Sequence, residues 1–394
     1  MIKGSSSWLS KNVLLISLSA FFSDLGYQGV LAALPVFLVL VLHAPVYIFG
    51  FVMAVSYGLG SLIGYIGGKI SDKYGRKKIS ILGNAFIPLL SLTGISANIY
   101  EAASLFSSGW LARNFRSPAR RALISEEASK KTRGRIFGFL NALDVGGGVL
   151  SVAVLILLTY LKFPLRYILL YTAIPITFAT ILLLFVKEKR AQPHPKIKKV
   201  IAVKHGKSGR RAYFGVLAAT ALYGFSFYSL GFPILTIAQS TGSNIEGFAS
   251  YAVFLLASAL FGYYIGTRKF NIIRSLGFTG YIMSAAGALF LGVSYLYDLG
   301  PIALYLSVIV IGMAVGTIDT LEPNLITQIK AKAKVGEGMG ALTSSRSIGL
   351  FLGNSIMGIL YYYGPVYSYV YAAAIAVLGG LLLLAAGSKF SGRI

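Results

Sequence analysis

The sequence lacks cysteine and has few other residues that bind metals or act in catalysis: three histidines, and 12 Asp and Glu against 36 Lys and Arg, in 394 residues. Without cysteine, neither disulfide bonds nor thiolate metal sites can form. His43, His194 and His205 all fall in predicted loops, which excludes a histidine cluster on a helix. The chain also has no G-x-x-x-x-G-K-[ST] phosphate loop, the mark of an ATP-driven pump. We therefore expect no metal and no cofactor.

Charged residues are scarce as well, at 12% of the chain against about 25% in ordinary soluble domains. Apolar residues make up 56%, and the 45 glycines suit membrane helices, in which small residues let backbones approach closely. A net charge of +24 would indicate nucleic-acid binding if the cations covered a soluble surface. The cations are instead bunched between apolar runs, as membrane topology requires. We expect this chain to sit in a lipid bilayer and not to bind nucleic acid.

Long apolar runs are abundant in the sequence. A membrane span needs about 20 mostly apolar residues, and counting on that basis predicts twelve spans. No small-residue cleavage site follows the first run, so we expect it to be retained as span one. In order, the predicted spans cover residues 13–42, 46–68, 79–97, 102–124, 134–161, 167–186, 212–238, 247–267, 275–297, 300–325, 338–363 and 366–388.

The cations divide the predicted connections into two kinds. Every cation-rich segment is an even-numbered connection or a terminus, whereas the odd-numbered connections carry few charges. Since cationic loops stay in the cytoplasm, we predict cytoplasmic termini in a multi-pass protein of the cytoplasmic membrane. The longest basic segment, 187–211, holds ten cations and separates residues 1–186 from residues 212–394, with six spans on each side. We expect that segment to be a solvated linker, or to lie on anionic headgroups.

The segment GGKISDKYGRKK, residues 67–78, follows span two and combines five cations with a single acid, Asp72, and the glycines Gly68 and Gly75. The positive-inside rule explains the cations but neither the glycines nor the acid. From Gly68 to Lys77 the pattern G-x-x-x-D-K-x-G-R-K resembles the loop between the second and third helices of the major facilitator superfamily.

This resemblance implies an all-α membrane protein with twelve transmembrane helices, in which two six-helix bundles are related by a pseudo-two-fold axis. It also implies a cytoplasmic latch formed by Gly68, Asp72, Gly75, Arg76 and Gly338. Asp72 is expected at the amino terminus of span eleven, near Gly338, where the helix dipole favours an acid. A second expected partner of Asp72 is an arginine of span four.

Four ionisable residues lie deep inside predicted spans, where charge is energetically costly and therefore indicates function. Asp24, Arg113, Asp144 and Arg346 come about 8–11 residues into spans one, four, five and eleven, roughly 12–17 Å deep at 1.5 Å per residue. A carboxyl group there can take a proton from one side and release it to the other, beside an arginine whose charge is fixed. We expect these four residues to couple transport to protons. In the helix arrangement that the resemblance implies, Asp24 and Arg113 lie on neighbouring helices and can pair. For Asp144, a permanent ion pair that locks helices together is an equal alternative.

Span four carries several arginines on one helix face. Arg113, Arg116 and Arg120 follow the spacing i, i+3 and i+7. The stretch resembles in part the fourth-helix arginine motif of the superfamily, with Arg113 in the arginine position. We interpret Arg120 and Arg121 as interfacial anchors whose long stems reach water.

Residues 116–150 resemble the region between spans four and five of bacterial and archaeal efflux-type members of the superfamily. The glycines at 138 and 146–148 resemble the glycine-rich antiporter motif of exporters, although simple tight packing against span eight is an alternative. This resemblance favours export over import.

The leading functional hypothesis is a monomeric, proton-coupled secondary transporter that exports amphipathic or drug-like small molecules by alternating access. The alternatives are a uniporter or importer of a sugar, organic acid or siderophore-like solute, and, in other classes, a transporter-like receptor or an intramembrane enzyme. An enzyme is disfavoured because the predicted helices contain neither histidine nor cysteine for a nucleophile–base pair. The resemblance places spans one, four, seven and ten around the cavity. The predicted cavity residues are Tyr27, Gln28, Asn114, Tyr223, Ser226, Phe227, Thr317 and Asp319.

Overall fold

The structure is a computed structural model, and it describes residues 8–129, 132–188, 207–226, 230–268, 271–329 and 335–387. Within these ranges the chain is helical and contains no β-strand, which confirms the all-α class. A helical segment coincides with each predicted span, and span seven is described as two helices. The segments are Lys11–Val41, Val46–Tyr74, Arg76–Ile95, Ile99–Ser125, Arg133–Tyr160, Leu165–Leu184, Lys207–Ser226 with Gly231–Thr241, Asn244–Thr267, Ile272–Leu296, Gly300–Ile329, Val335–Tyr363 and Pro365–Gly387.

In the described part of the chain, nine helices are long and apolar enough to cross a membrane. Spans four, seven and eleven fall outside that number, for different reasons. Span four carries four arginines, which lower its hydropathy. The side chains of spans seven and eleven are described only in part, and the apolar helix described in span seven, Tyr213–Gly224, is short.

Several helices begin with caps that can be read in the sequence. Asn98 accepts a hydrogen bond from the Glu101 N–H at 2.9 Å, and the Glu101 carboxylate accepts from the Ala97 N–H at 2.8 Å. This reciprocal arrangement satisfies backbone donors that a helix start leaves free. Ser10 caps span one in the simpler way, accepting from the Val13 N–H at 3.2 Å.

The chain forms two compact units. The first unit comprises Met1–Leu38 and Gly60–His194, and the second comprises Val39–Leu59 and Pro195–Ile394. Residues 39–59 therefore group by packing with the second unit, although they precede the predicted linker. The reason is a close backbone approach, since Gly50 lies against the Asn354 carbonyl and against Gly358. The predicted topological division at 187–211 stays a prediction.

In the first unit, span one packs against spans five and six, and span four packs against spans two and three. Glycines permit the closest approaches. Gly67 of span two meets the Phe115 carbonyl of span four, and Gly83 of span three meets the backbone of Arg116. In span five, Gly147 lies against the Phe21 carbonyl and Gly148 against Gln28, so the close neighbour of these glycines is span one. This differs from the packing alternative given above, in which the glycines of span five pack against span eight.

In the second unit, span seven packs against spans eleven and twelve, and span eight packs against span ten. Gly224 of span seven meets the Arg346 carbonyl, and Gly349 of span eleven meets the Ala221 carbonyl. These contacts bring the polar residues of spans seven, ten and eleven into one region of the unit, around Arg346.

Candidate functional site

The first part of the site is a buried arginine, Arg116, on the face of span four that meets spans one and three. Its side chain is fully buried, and the Nη1 atom donates to Asn84 Oδ1 at 2.8 Å and to Ser23 Oγ at 3.2 Å. Ser23 also donates to Asn84 at 3.0 Å, and Asn84 donates to Thr180 at 2.7 Å. Gly83 allows this close packing, because the side chain of a larger residue at position 83 would clash with Arg116.

Arg120 lies one turn further along span four and forms an ion pair with Asp144 of span five. Its Nη2 atom is 3.4 Å from Asp144 Oδ1, and the exposed fractions of the two side chains are 8% and 29%. Asp144 in turn interacts electrostatically with Asp24, which is 3% exposed. The interpretation of Arg120 as an interfacial anchor is therefore wrong: the side chain turns inward because a carboxylate on span five is within reach.

The third arginine, Arg113, packs against aromatic rings. Its guanidinium carbon lies 5.0 Å from the ring centre of Tyr27 and 4.9 Å from that of Trp110, and its Nη2 donates to Tyr27 Oη at 3.1 Å. Such cation–π contacts stabilise a cation in place of a counterion. We expected Asp24 to pair with Arg113, but no ion pair joins them among the described residues, and Asp24 interacts instead with Asp144 and Arg120.

The second unit holds a separate charged cluster around Arg346. The Nη1 atom of Arg346 is 2.9 Å from Asp319 Oδ1, and the Nη2 atom contacts Glu322. Glu322 is fully buried and accepts further hydrogen bonds from Thr220, at 3.1 Å, and from the Tyr281 hydroxyl. Every oxygen of this buried carboxylate therefore has a donor.

The sequence analysis included Asp319 among the candidate site residues but not Glu322, three residues later. The signal was present in the spacing. Asp319 and Glu322 are i and i+3 on one helix, so both can face the same arginine.

Four of the predicted latch residues, Gly68, Asp72, Gly75 and Arg76, lie at the end of span two or the start of span three. Asp72 is exposed, with 68% of its side chain accessible, and its ion pair in the described structure is with Arg76 at 3.5 Å. Arg76 also contacts Glu126, at the end of span four. Gly75 has a φ of 103°, which favours glycine and turns the chain between the two helices. The surroundings of Gly338 lie outside the described side chains, so its predicted contact with Asp72 stays a prediction.

A second acid at this end was not predicted. Glu188 follows span six, and its carboxylate accepts from the Arg76 N–H at 2.6 Å and from the Lys77 N–H at 3.3 Å. These are the first backbone donors of span three, where a negative charge is favourable. The acid therefore connects the start of the predicted linker to the segment that resembles the family signature.

The other predicted cavity residues have varied surroundings. Tyr223 and Thr317 are buried, and the Thr317 hydroxyl donates to the Met313 carbonyl of its own helix at 3.0 Å. Gln28 and Asn114 are half-buried, and Asp319 is exposed over 58% of its side chain. Phe227 and the Ser226 side chain lie outside the described part. Among the described residues, no three acidic or histidine side chains converge as a metal site.

Comparison with known proteins agrees with this architecture. The family model of the Major Facilitator Superfamily matches residues 16–297. An uncharacterised MFS-type transporter of Methanocaldococcus jannaschii is 27% identical over 384 residues, which cover 95% of each chain.

Among solved structures, a POT family transporter in complex with a thioalcohol-conjugated peptide has a TM-score of 0.78 at 12% identity, covering 97% of this chain and 96% of that one. A D-xylose-proton symporter has a TM-score of 0.76 at 15% identity, covering 95% of this chain and 96% of that one. At these identities the solved structures establish the fold alone. With the family model matching well over half of its length, the chain belongs to the Major Facilitator Superfamily, and it is a multi-pass membrane protein of the transporter class.

Proposed function

We propose that this protein is a proton-coupled secondary transporter of small organic molecules that works by alternating access, and that Asp24 and Asp144 carry the proton. The observation that supports the proposal is that two interacting carboxyl groups lie beside Arg120, one of them buried and the other in an ion pair with that arginine. Two ionised carboxylates that interact in a buried site repel each other, so such a pair favours a proton on one of its members. The pair can therefore hold one proton between them and release it when the surroundings change.

The pair also has the asymmetry that proton transfer needs. Asp24 is almost fully buried, whereas 29% of the Asp144 side chain is accessible. Asp144 is thus the member that can exchange its proton with water, and Arg120 supplies a fixed positive charge that favours the ionised form once the proton has left. A static lock between helices one, four and five would need no second carboxyl group, since Arg120 and Asp144 alone would complete the ion pair.

The finer features remain part of the proposal. We take the chain to act as a monomer in the cytoplasmic membrane, with both termini in the cytoplasm and residues 187–211 linking six spans to six. Export of amphipathic or drug-like molecules rests on the resemblance of residues 116–150 to efflux-type members, and import of an organic solute is the alternative. The D-xylose-proton symporter is a neighbour in fold that, by its description, moves a solute with protons.

The test uses the full chain in liposomes with an imposed pH gradient and a panel of labelled solutes. We expect gradient-driven accumulation by the natural sequence and none by the Asp24→Asn or Asp144→Asn variants. Both variants should retain solute binding and solute-for-solute counterflow, because the substitution removes the proton and keeps the shape. Arg121→Gln is the matched control, since this arginine lies on the same helix and is exposed.

The outcomes separate the rival functions. Full accumulation by both Asn variants would remove the carboxyl pair from coupling and leave a uniporter or another coupling group. No flux of any solute, with binding retained by the natural sequence, would instead favour a receptor built on a transporter fold.

A further inference from the structure

Beyond the proton site, we propose that Arg113, Arg116 and Arg120 form a binding site for the anionic group of the transported molecule, which we infer to be an organic anion with an aromatic or other apolar body. This inference names the substrate class of the transporter proposed above and rests on that proposal for its biological meaning. The binding site itself can be tested without transport.

The first argument is charge. The three arginines face two acids, and the groups that act electrostatically on Arg116 are Arg113, Arg120, Asp24 and Asp144. With both acids ionised the cluster carries one positive charge in excess, and with a proton on the acid pair it carries two. Arg116 and Arg120 are 0% and 7% exposed, so water does little to stabilise this excess. A buried charge is strongly unfavourable unless it is paired.

The second argument is the supply of hydrogen-bond donors. Five guanidinium nitrogens of these arginines are buried and have no acceptor in the described protein: Nε of Arg113, Nε and Nη2 of Arg116, and Nε and Nη1 of Arg120. Buried donors are nearly always satisfied, so such a group calls for a partner. Arg346 of the second unit provides an internal comparison, because its guanidinium contacts two carboxylates, Asp319 and Glu322.

The third argument concerns the shape of the ligand. Arg113 is only half-buried, as are Gln28 and Asn114, so the cluster is accessible from this end. Here the guanidinium packs against Tyr27 and Trp110, whose ring centres are 5.8 Å apart. An anion that enters beside these rings meets arginine donors and an aromatic surface together. Carboxylates, sulfonates and phosphate esters present the planar or forked oxygens that arginine binds best.

The charges also determine whether binding of a proton favours or opposes binding of the anion. The proton on Asp24 and Asp144 adds a positive charge to the cluster formed with Arg113, Arg116 and Arg120, and a bound anion adds a negative one. Each ligand therefore favours the other, and by linkage the effect is reciprocal. An anion and a proton should bind together and move in the same direction. This sign favours proton-driven uptake of an organic acid over the export that the sequence predicts.

The test uses a fluorescence reporter that the chain already contains. Its tryptophans are Trp8 and Trp110, and Trp110 lies 4.9 Å from the Arg113 guanidinium. In the Trp8→Phe protein, the emission of Trp110 reports on the surroundings of Arg113. The ligands are benzenesulfonate, phenyl phosphate and sulfate, with benzenesulfonamide and benzyltrimethylammonium as neutral and cationic counterparts. Benzenesulfonate remains an anion throughout the usable pH range, so any pH dependence arises in the protein.

We expect a saturable change of Trp110 emission with the aromatic anions and none with the neutral or cationic compounds. Arg113→Gln and Arg116→Gln should weaken anion binding at least about tenfold, as expected for loss of one charge-assisted contact. Arg121→Gln, at an exposed position of the same helix, should not. Because Arg116 is fully buried and its variant can fail to fold, the half-buried Arg113 is the decisive position.

Two results would overturn the anion site: a response to benzenesulfonamide or benzyltrimethylammonium equal to that of benzenesulfonate, or no saturable response to any of the three anions. The pH dependence tests the coupling separately. The affinity for benzenesulfonate should rise as the pH falls, and it should be independent of pH in the Asp24→Asn/Asp144→Asn double variant. A pH-independent affinity with the charge selectivity intact would support the anion site and count against the carboxyl pair as the proton carrier.

Discussion

The buried carboxylate of Glu322 allows a stability prediction to be worked from individual contacts. In Glu322→Gln the carbonyl oxygen can still accept from Thr220 and Tyr281, but the amide nitrogen then faces the guanidinium of Arg346, donor to donor. One charge-assisted hydrogen bond is lost, worth about 1.5–3 kcal/mol. Breaking a buried ion pair by removing one partner costs about 3–5 kcal/mol. Because Arg346 keeps Asp319 at 2.9 Å, we expect the lower end, about 3 kcal/mol.

The matched control is Asp319→Asn, which removes the charge of the other acid that contacts Arg346. The Asp319 side chain is 58% exposed, so water replaces much of the lost interaction and we expect less than about 1 kcal/mol. The assay heats the purified protein in detergent and measures unfolding as the loss of monodisperse protein with rising temperature. Equal destabilisation by the two variants would refute the reasoning that burial, rather than charge alone, makes Glu322 important.

Further predictions concern the packing of the first unit and the contacts at the start of span three. Gly67→Ala should lower stability by about 1–3 kcal/mol, because its new methyl group meets a backbone carbonyl of span four, whereas Gly138→Ala, with no neighbour within 4 Å, should be tolerated in the same unfolding assay. Glu188→Ala should lower stability by about 0.5–2 kcal/mol, since it removes the acceptor at the start of span three, and an unchanged unfolding temperature would argue against this cap. Asp72→Ala should change stability by less than about 1 kcal/mol, because the side chain is exposed. If Asp72 acts as a latch, the same variant should transport solute more slowly in liposomes, and unchanged kinetics would place the latch elsewhere.

The helical architecture could be predicted because two strong signals repeat along the chain. Apolar runs of the right length mark the helices, and cations mark every second connection, so an error of one span would have broken the alternation. Capping residues such as Asn98 and Ser10 are also readable at the helix starts. The grouping of residues 39–59 with the second unit could not be predicted from the sequence, because it depends on which glycines of distant helices pack together.

The partners within the site could not be predicted to the same degree. Counting residues gives the depth of a side chain in the membrane but not the direction in which it points. Arg120 lies near the end of span four and was assigned to the interface, yet it turns inward to Asp144. Asp24 was predicted at the depth of Arg113 but interacts with Asp144, because spans one and five pack closely at Gly147.

The proposal that Asp24 and Asp144 share a proton can be tested most directly by infrared difference spectroscopy of the reconstituted protein between acidic and alkaline pH. A protonated carboxyl group absorbs apart from an ionised one, and its band shifts on exchange into D₂O. We predict a carboxyl band that titrates, shifts in D₂O and disappears in both Asp24→Asn and Asp144→Asn. A spectrum without such a band, or a band that survives in both variants, would contradict the account.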